Sequence, residues 1–293
     1  MAGTKYLKLF ETHSEYQTYI NGSDKILPNV SYCEDNNDVH YNPYDFSDRY
    51  LTFVALEDGT FSCTGSVSYS LDNGETWIEL TPNASTPTIT TGSSIIWKNT
   101  APVQYSVGSF NSTAEFDIKG NIMSLLYGDN FKGQTIIQND SAFQNLFYIG
   151  NNNGCKIVNA KDLSLPATTL TTYCYAYMFS DCTSLVSVPK LPATTLASGC
   201  YSGMFYGCTS LVTAPELPAT TLVSNCYYQM FNGCTSLNYI KAMFTTTPST
   251  SYTNSWVDGV SATGTFVKNS TAQWDVSGVN GIPTGWTVQT ASE

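Results

Sequence analysis

Leu191-Pro192-Ala193-Thr194-Thr195-Leu196-Ala197-Ser198-Gly199-Cys200-Tyr201-Ser202-Gly203-Met204-Phe205-Tyr206-Gly207-Cys208-Thr209-Ser210-Leu211-Val212-Thr213-Ala214-Pro215-Glu216 is the middle one of three near-identical segments. The first begins at Leu165-Pro166-Ala167-Thr168-Thr169-Leu170 and the third at Leu217-Pro218-Ala219-Thr220-Thr221-Leu222, so the period is 26. A fixed period of this length signals units that cannot bury an apolar face alone and must stack. Within one unit Leu196, Cys200, Met204 and Cys208 stand four apart, with Tyr201 and Phe205 one step on. That spacing predicts a helical stripe facing a core. Leu211-Val212-Thr213-Ala214 predicts a short strand, ended by Pro215 because proline removes a ladder donor. Stacked strand on strand, such units lie about 4.8 Å apart.

Six of the nine cysteines follow the same lattice: Cys174, Cys200 and Cys226, and Cys182, Cys208 and Cys234. A lattice marks a repeat position more than a set of pairs, and all six are expected as buried free thiols. The columns that vary between copies hold Thr172-Tyr173, Ser198-Gly199 and Ser224-Asn225, then Ala176-Tyr177, Ser202-Gly203 and Tyr228-Gln229, then Ser180-Asp181, Tyr206-Gly207 and Asn232-Gly233. Tyr, Ser, Gly and Asn are residues that recognition surfaces favour. Tyr173, Tyr177, Tyr206 and Tyr228 are therefore expected to be largely exposed and to form a binding face, set against plain drift on an outer surface.

The Met-Phe-x-x-Cys-Thr-Ser-Leu pattern closed by a Pro-flanked strand resembles the BspA-like (Treponema-type) leucine-rich repeats. The resemblance covers about residues 140 to 290, and the unit here is longer than that family's commonest repeat. It implies a surface protein of gut Bacteroidetes or a virion protein of Bacteroides (crAss-like) phages. Asp140 to Asp162, with Phe143, Leu146, Phe147, Ile157 and Val158, reads as a degenerate first unit. From Tyr239 onward the pattern lapses, and Trp256, Phe266, Trp274 and Trp286 supply a terminal cap.

Upstream, Leu51–Leu56 and Thr60–Cys63 flank Asp58-Gly59, and further short β segments recur to Trp97. This predicts a small, Ig-like β-sandwich. Thr12-His13-Ser14-Glu15 is a capping box opening a short helix, and Glu34-Asp35-Asn36-Asn37-Asp38 is an acidic turn. The segment resembles N-terminal arms of Bacteroides phage structural proteins. The expected chain is thus mainly β with short helices: an attachment arm over 1–49, a sandwich over 50–118, a leucine-rich-repeat solenoid with 26-residue repeats over 119–240 and a cap over 241–293.

Net charge is -11 and Arg49 is the only arginine. Phosphate recognition needs clustered cations, so nucleic acid is not an expected partner, nor is an anionic membrane. No apolar run reaches the roughly 18 residues of a membrane span, and the first ten residues do not read as a signal peptide. Ser70-Leu71-Asp72-Asn73-Gly74-Glu75-Thr76-Trp77 fits the Asp-box of sialidases, a folding motif of a hairpin turn; a single copy cannot build a propeller. Only His13 and His40 titrate near neutrality, no catalytic motif accompanies them, and nothing orients a Cys33–His40 pair. Glu34, Asp35, Asp38, Asp45 and Asp48 offer oxygen ligands suited to calcium, but EF-hand spacing is absent because Val39 interrupts it, and a solvated turn is the expectation.

No catalytic residue, cofactor or metal is expected. The expected function is a non-enzymatic virion surface protein, a fibre or decoration. It would meet other virion proteins through its arm and a glycan or host receptor through its repeats, as a homo-oligomer. A bacterial surface adhesin of the BspA-like kind is the alternative, and a glycan-acting enzyme is a third reading.

Overall fold

A computed structural model describes residues 32–35, 38–41, 46–99, 103, 105–148 and 155–291. The helix expected after Thr12, and most of the 1–49 arm, lie outside these residues. Within the arm, β1 (Tyr32–Asp35) and β2 (Asp38–Tyr41) pair antiparallel, Cys33 opposite His40, so the strands run into the acidic stretch expected as a turn.

The chain is mainly β. Strands β3 (Leu51–Ala55), β4 (Phe61–Cys63), β5 (Val67–Ser70), β6 (Ile78–Leu80), β7 (Ser94–Lys98), β8 (Phe110–Ser112) and β9 (Phe116–Asn121) are followed by the single α-helix of the described residues, α1 (Ser124–Tyr127), and by β10 (Ile157–Ser164). One sheet has the order β10-β9-β3-β7-β5-β6, and β4 pairs with β8 in a second. Alternating apolar residues drive the two together: the Phe53 ring lies 5.3 Å from Phe61 and 5.1 Å from Phe110, and Trp97 lies 4.9 Å from Phe110. All four are essentially inaccessible to water. The edge-to-face and tilted geometries suit the ring quadrupoles.

Residues 46–49 are tied to β9, because Asn121 N donates to Arg49 O and Asn121 Nδ2 to Ser47 O, and Phe46 is buried. The 118/119 boundary falls inside β9, which pairs in parallel with β10 and so carries the first sheet directly into the repeats.

The repeats themselves are not helical. Met178, Phe179, Met204, Phe205, Met230 and Phe231 are buried as the stripe requires, but the chain beneath them is a run of linked turns. In the first copy the even-numbered amides bond back three residues, Cys174 to Thr171, Ala176 to Tyr173, Met178 to Tyr175 and Ser180 to Tyr177. The odd-numbered amides leave the copy: Tyr173, Tyr175, Tyr177, Phe179 and Asp181 donate to the carbonyls of Ser198, Cys200, Ser202, Met204 and Tyr206. The second copy donates to the third in the same way, Gly199 to Ser224 through Gly207 to Asn232. A helix would send every amide to the residue four back; here half of them hold neighbouring copies together, and each copy stays in step with the next.

Every fourth residue takes a left-handed conformation to keep the turns linked: Tyr173, Tyr177 and Asp181, then Gly199, Gly203 and Gly207, then Asn225, Gln229 and Gly233. The expected degenerate unit obeys the same rule, with Ser141 and Asn145 left-handed and Phe143 and Phe147 donating to Cys174 and Met178. Past the point where the sequence pattern lapses the geometry persists, since Phe231 still donates to Trp256 O. Stacking at this spacing aligns two internal ring columns. Tyr175, Tyr201 and Tyr227 are separated by 5.8 and 6.1 Å, and Phe179, Phe205 and Phe231 by 5.5 and 5.7 Å.

Beside the turns run the strand segments. β11 (Tyr239–Ala242), β12 (Thr265–Lys268) and β13 (Thr287–Thr290) form a parallel sheet, to which Thr213 joins by a bridge to Tyr239. On the other side Ser187 joins β10 by a bridge to Asn159. Between the Ser187 and Thr213 segments no ladder bond forms, although one period separates them and the turns beside them are fully bonded. Trp256, Phe266, Trp274 and Trp286 are buried at the far end of the core.

The cysteine lattice needs one correction. Cys182, expected as a free thiol, is disulfide-bonded to Cys155, whose Cα stands 4.3 Å away. The equivalent Cys208 and Cys234 instead donate their thiols to Phe179 O and Phe205 O. Among the residues whose side chains are described, six buried free thiols remain: Cys63, Cys174, Cys200, Cys208, Cys226 and Cys234. None of the six should react with iodoacetamide in the native protein at pH 8. All six should react once unfolded, with Cys155 and Cys182 appearing only after reduction. Peptide mapping by mass spectrometry reads this out, and native labelling of the lattice positions would refute the burial.

Candidate binding groove

The left-handed column explains the surface as well as the core. In the second copy that column is glycine at 199 and 203, and the tyrosines of the first copy lie down over these positions. A Cβ on Gly199 would fall 2.2 Å from Tyr173 Cε1, and one on Gly203 would fall 2.2 Å from Tyr177 Cε1. Glycine is required there twice over, for its positive φ and for the space its missing side chain gives the ring. The middle copy is therefore low, and its neighbours stand above it.

The result is a groove of about 270 Å³ lined by Gln144, Tyr173, Tyr177, Ser202, Asn225 and Tyr228. Buried Ser202 lies lowest, with the Tyr173 and Tyr177 rings of the first copy on one side and Asn225 and Tyr228 of the third on the other. Three of the four tyrosines singled out from the sequence meet here; Tyr206 does not line the groove. Their exposure differs from expectation. Tyr173 is 38% exposed, whereas Tyr177, Tyr206 and Tyr228 are half-buried. Burial pushes the Tyr177 hydroxyl above its ordinary acidity range, opposed by its hydrogen bond with Ser202 and reinforced by the neighbouring Tyr228, Tyr173 and Tyr206. The Tyr177 phenol is thus neutral at physiological pH.

A second, larger groove of about 630 Å³ opens on the strand side, between Val186–Pro192 and Thr213–Pro218. It coincides with the missing ladder, and Pro189, Pro192, Pro215 and Pro218 line it.

The Asp-box segment forms a closed turn between β5 and β6. Ser70 Oγ donates to Asp72 Oδ1 at 2.6 Å, Thr76 N donates to the same oxygen at 2.9 Å, and Asn73 and Gly74 take positive φ. These bonds hold the Asp72 carboxyl down at about 2. A carboxylate whose oxygens are spent on its own turn is a structural group. Trp77 anchors the hairpin, with Lys98 Nζ 4.2 Å above its ring and the Tyr50 ring 5.0 Å away. Lys98 continues to Asp129 at 2.7 Å.

Among the described residues no cluster of three or more His, Cys, Asp or Glu could hold a metal ion, and no helix is long and apolar enough to cross a membrane. His13 lies outside the described residues, as does Asp45. No family model, curated protein or solved structure matches the chain.

Proposed function

We propose that this chain is a non-enzymatic structural and binding protein of a phage virion surface, a fibre or decoration. Its β-rich first part is an Ig-like sandwich acting as a spacer, and its stack is a leucine-rich-repeat solenoid of the BspA-like kind that displays a recognition face. The observation that carries this reading is the division of labour among the repeat columns. The fixed Cys, Met and Phe columns are buried, and variable columns supply the tyrosines of a groove that spans three copies. The low cation content fits recognition without nucleic acid, and the N-terminal arm supplies the attachment to other virion proteins.

Removing residues 1–31 should abolish incorporation into particles while shifting the melting temperature by no more than a few degrees. Mass spectrometry of purified particles and differential scanning calorimetry check the two halves of that statement. Particles that incorporate the shortened chain normally would refute the arm's role. Detection of the native chain on bacterial cells and not on particles would favour the adhesin reading.

A further inference from the structure

We propose that the groove between the first and third copies binds an uncharged saccharide, one sugar ring of which lies against the Tyr173 and Tyr177 rings. This deepens the recognition-face reading above and rests on it. The argument begins with what lines the groove: three phenols, two carboxamides and one hydroxyl, and no charged side chain. A carboxylate or sulfate placed there would lose water and gain no cation, and it would approach a protein of net charge -11. A cationic ligand would likewise find no carboxylate among the lining groups.

The geometry narrows the choice further. Tyr173 and Tyr177 are held flat over Gly199 and Gly203, so each offers a face instead of an edge and loses little freedom when a ligand covers it. Aromatic faces pack against the apolar C–H faces of sugar rings, while hydroxyls around a ring's rim need donors and acceptors. Gln144 and Asn225 each present both, and the phenol of Tyr228 and the hydroxyl of Ser202 add two more groups. A volume of about 270 Å³ limits the groove to a short stretch of chain. Its trough form, open along the surface, suits an internal segment of a longer glycan.

The internal repeats provide substitutions already tolerated at the same position of the fold. Tyr173→Asn installs the residue that the third copy carries in that column, Asn225, which shares its left-handed φ. Tyr228→Ser installs the second copy's Ser202, and Tyr206→Asn installs the third copy's Asn232 outside the groove. The full chain is titrated with neutral gluco-, galacto-, manno- and xylo-tetrasaccharides and with sialylated and sulfated oligosaccharides, followed by tyrosine fluorescence. At least one neutral series should saturate and the anionic ones should not. Tyr173→Asn/Tyr228→Ser should keep the wild-type melt and weaken that binding at least tenfold, and Tyr206→Asn should bind as wild type.

If the double variant melts early, Ser202→Tyr, which fills the trough with the third copy's residue, takes its place and should abolish saturation. Saturation by no neutral series, by anionic glycans alone, or equally by the folded groove variants would overturn the proposal. Wild-type adsorption to host cells separates the two levels. Adsorption without neutral-glycan binding leaves the recognition-face reading standing and sinks the saccharide, whereas absence of both sinks the two together.

Discussion

Phe205→Ala is expected to lower the folding free energy by about 3–5 kcal/mol. Phe205 is wholly buried in the central copy, and its ring stacks between those of Phe179 and Phe231 at 5.5 and 5.7 Å with interplanar angles of 4° and 3°. Truncation removes the apolar area of one ring and both stacking contacts, and it opens a cavity that rigid neighbours on two sides cannot close. The backbone resists collapse as well, since Phe205 N is bonded to Met230 O and Phe179 N to Met204 O. Guanidinium denaturation of the full chain measures the change through its midpoint, with the slope unchanged. Tyr206→Asn, one residue along but on the outer side, should cost less than about 0.5 kcal/mol. A loss below about 1 kcal/mol for Phe205→Ala would mean that the inner column is not what holds the copies together.

Alkali should unfold the protein far more sharply than its surface charge suggests. Burial pushes Cys63 and Cys226 up to about 11 and Cys174 and Cys234 to about 12, from an ordinary value of 9.0, and lifts Cys200 and Cys208 well above it. The folded state keeps these thiols protonated while the unfolded chain releases their protons above pH 9. The unfolded state therefore binds fewer protons there, and stability, fully present below 9, falls until the folded values near 11–12 are passed. Each group approaches about 1.4 kcal/mol per pH unit once the unfolded thiol is fully ionised and removes about 1 kcal/mol over the first unit, so the four with folded values near 11–12 together remove about 4 kcal/mol between pH 9 and 10. That is a large share of the stability of an ordinary domain. Tyr175, Tyr201 and Tyr227, also raised by burial, add to the slope above pH 10. Melting curves between pH 7 and 11 test this. Cys208→Ala should make the dependence shallower, and a melting temperature flat to pH 10.5 would refute the burial of the thiols.

The residues themselves show why some of this was readable in advance. Leu211, Cys200, Met204 and Phe205 declared the core because burial tolerates little change, and constancy across three copies is visible without any structure. The stripe predicts a helix because a spacing of four from Leu196 to Cys208 fits a 3.6-residue period nearly as well as a four-residue one. A signal separating them was present: Gly199, Gly203, Gly207, Asn225 and Gly233 recur every fourth residue at positive φ, a demand no helix makes. Their composition also suits a recognition surface, and part of that bias is backbone necessity. Three tyrosines of the groove were found from their columns, but the groove depends on Tyr177 of one copy lying over Gly203 of the next. Neither that contact nor the pairing of Cys155 with Cys182 follows from spacing within a copy.

The one-way donation of odd-numbered amides from each copy to the next also has a genetic consequence. Every inner rung presents the same acceptors behind and the same donors ahead, so an in-frame duplication or loss of one 26-residue unit leaves both ends of the stack chemically matched. Near-identical neighbouring segments are the substrate on which recombination makes such changes. Because the trough is low only where the glycine copy sits, duplicating that copy would broaden the groove by about one ring spacing, 5.5–5.7 Å. Ligand length could then be retuned in a single event without altering any wall residue.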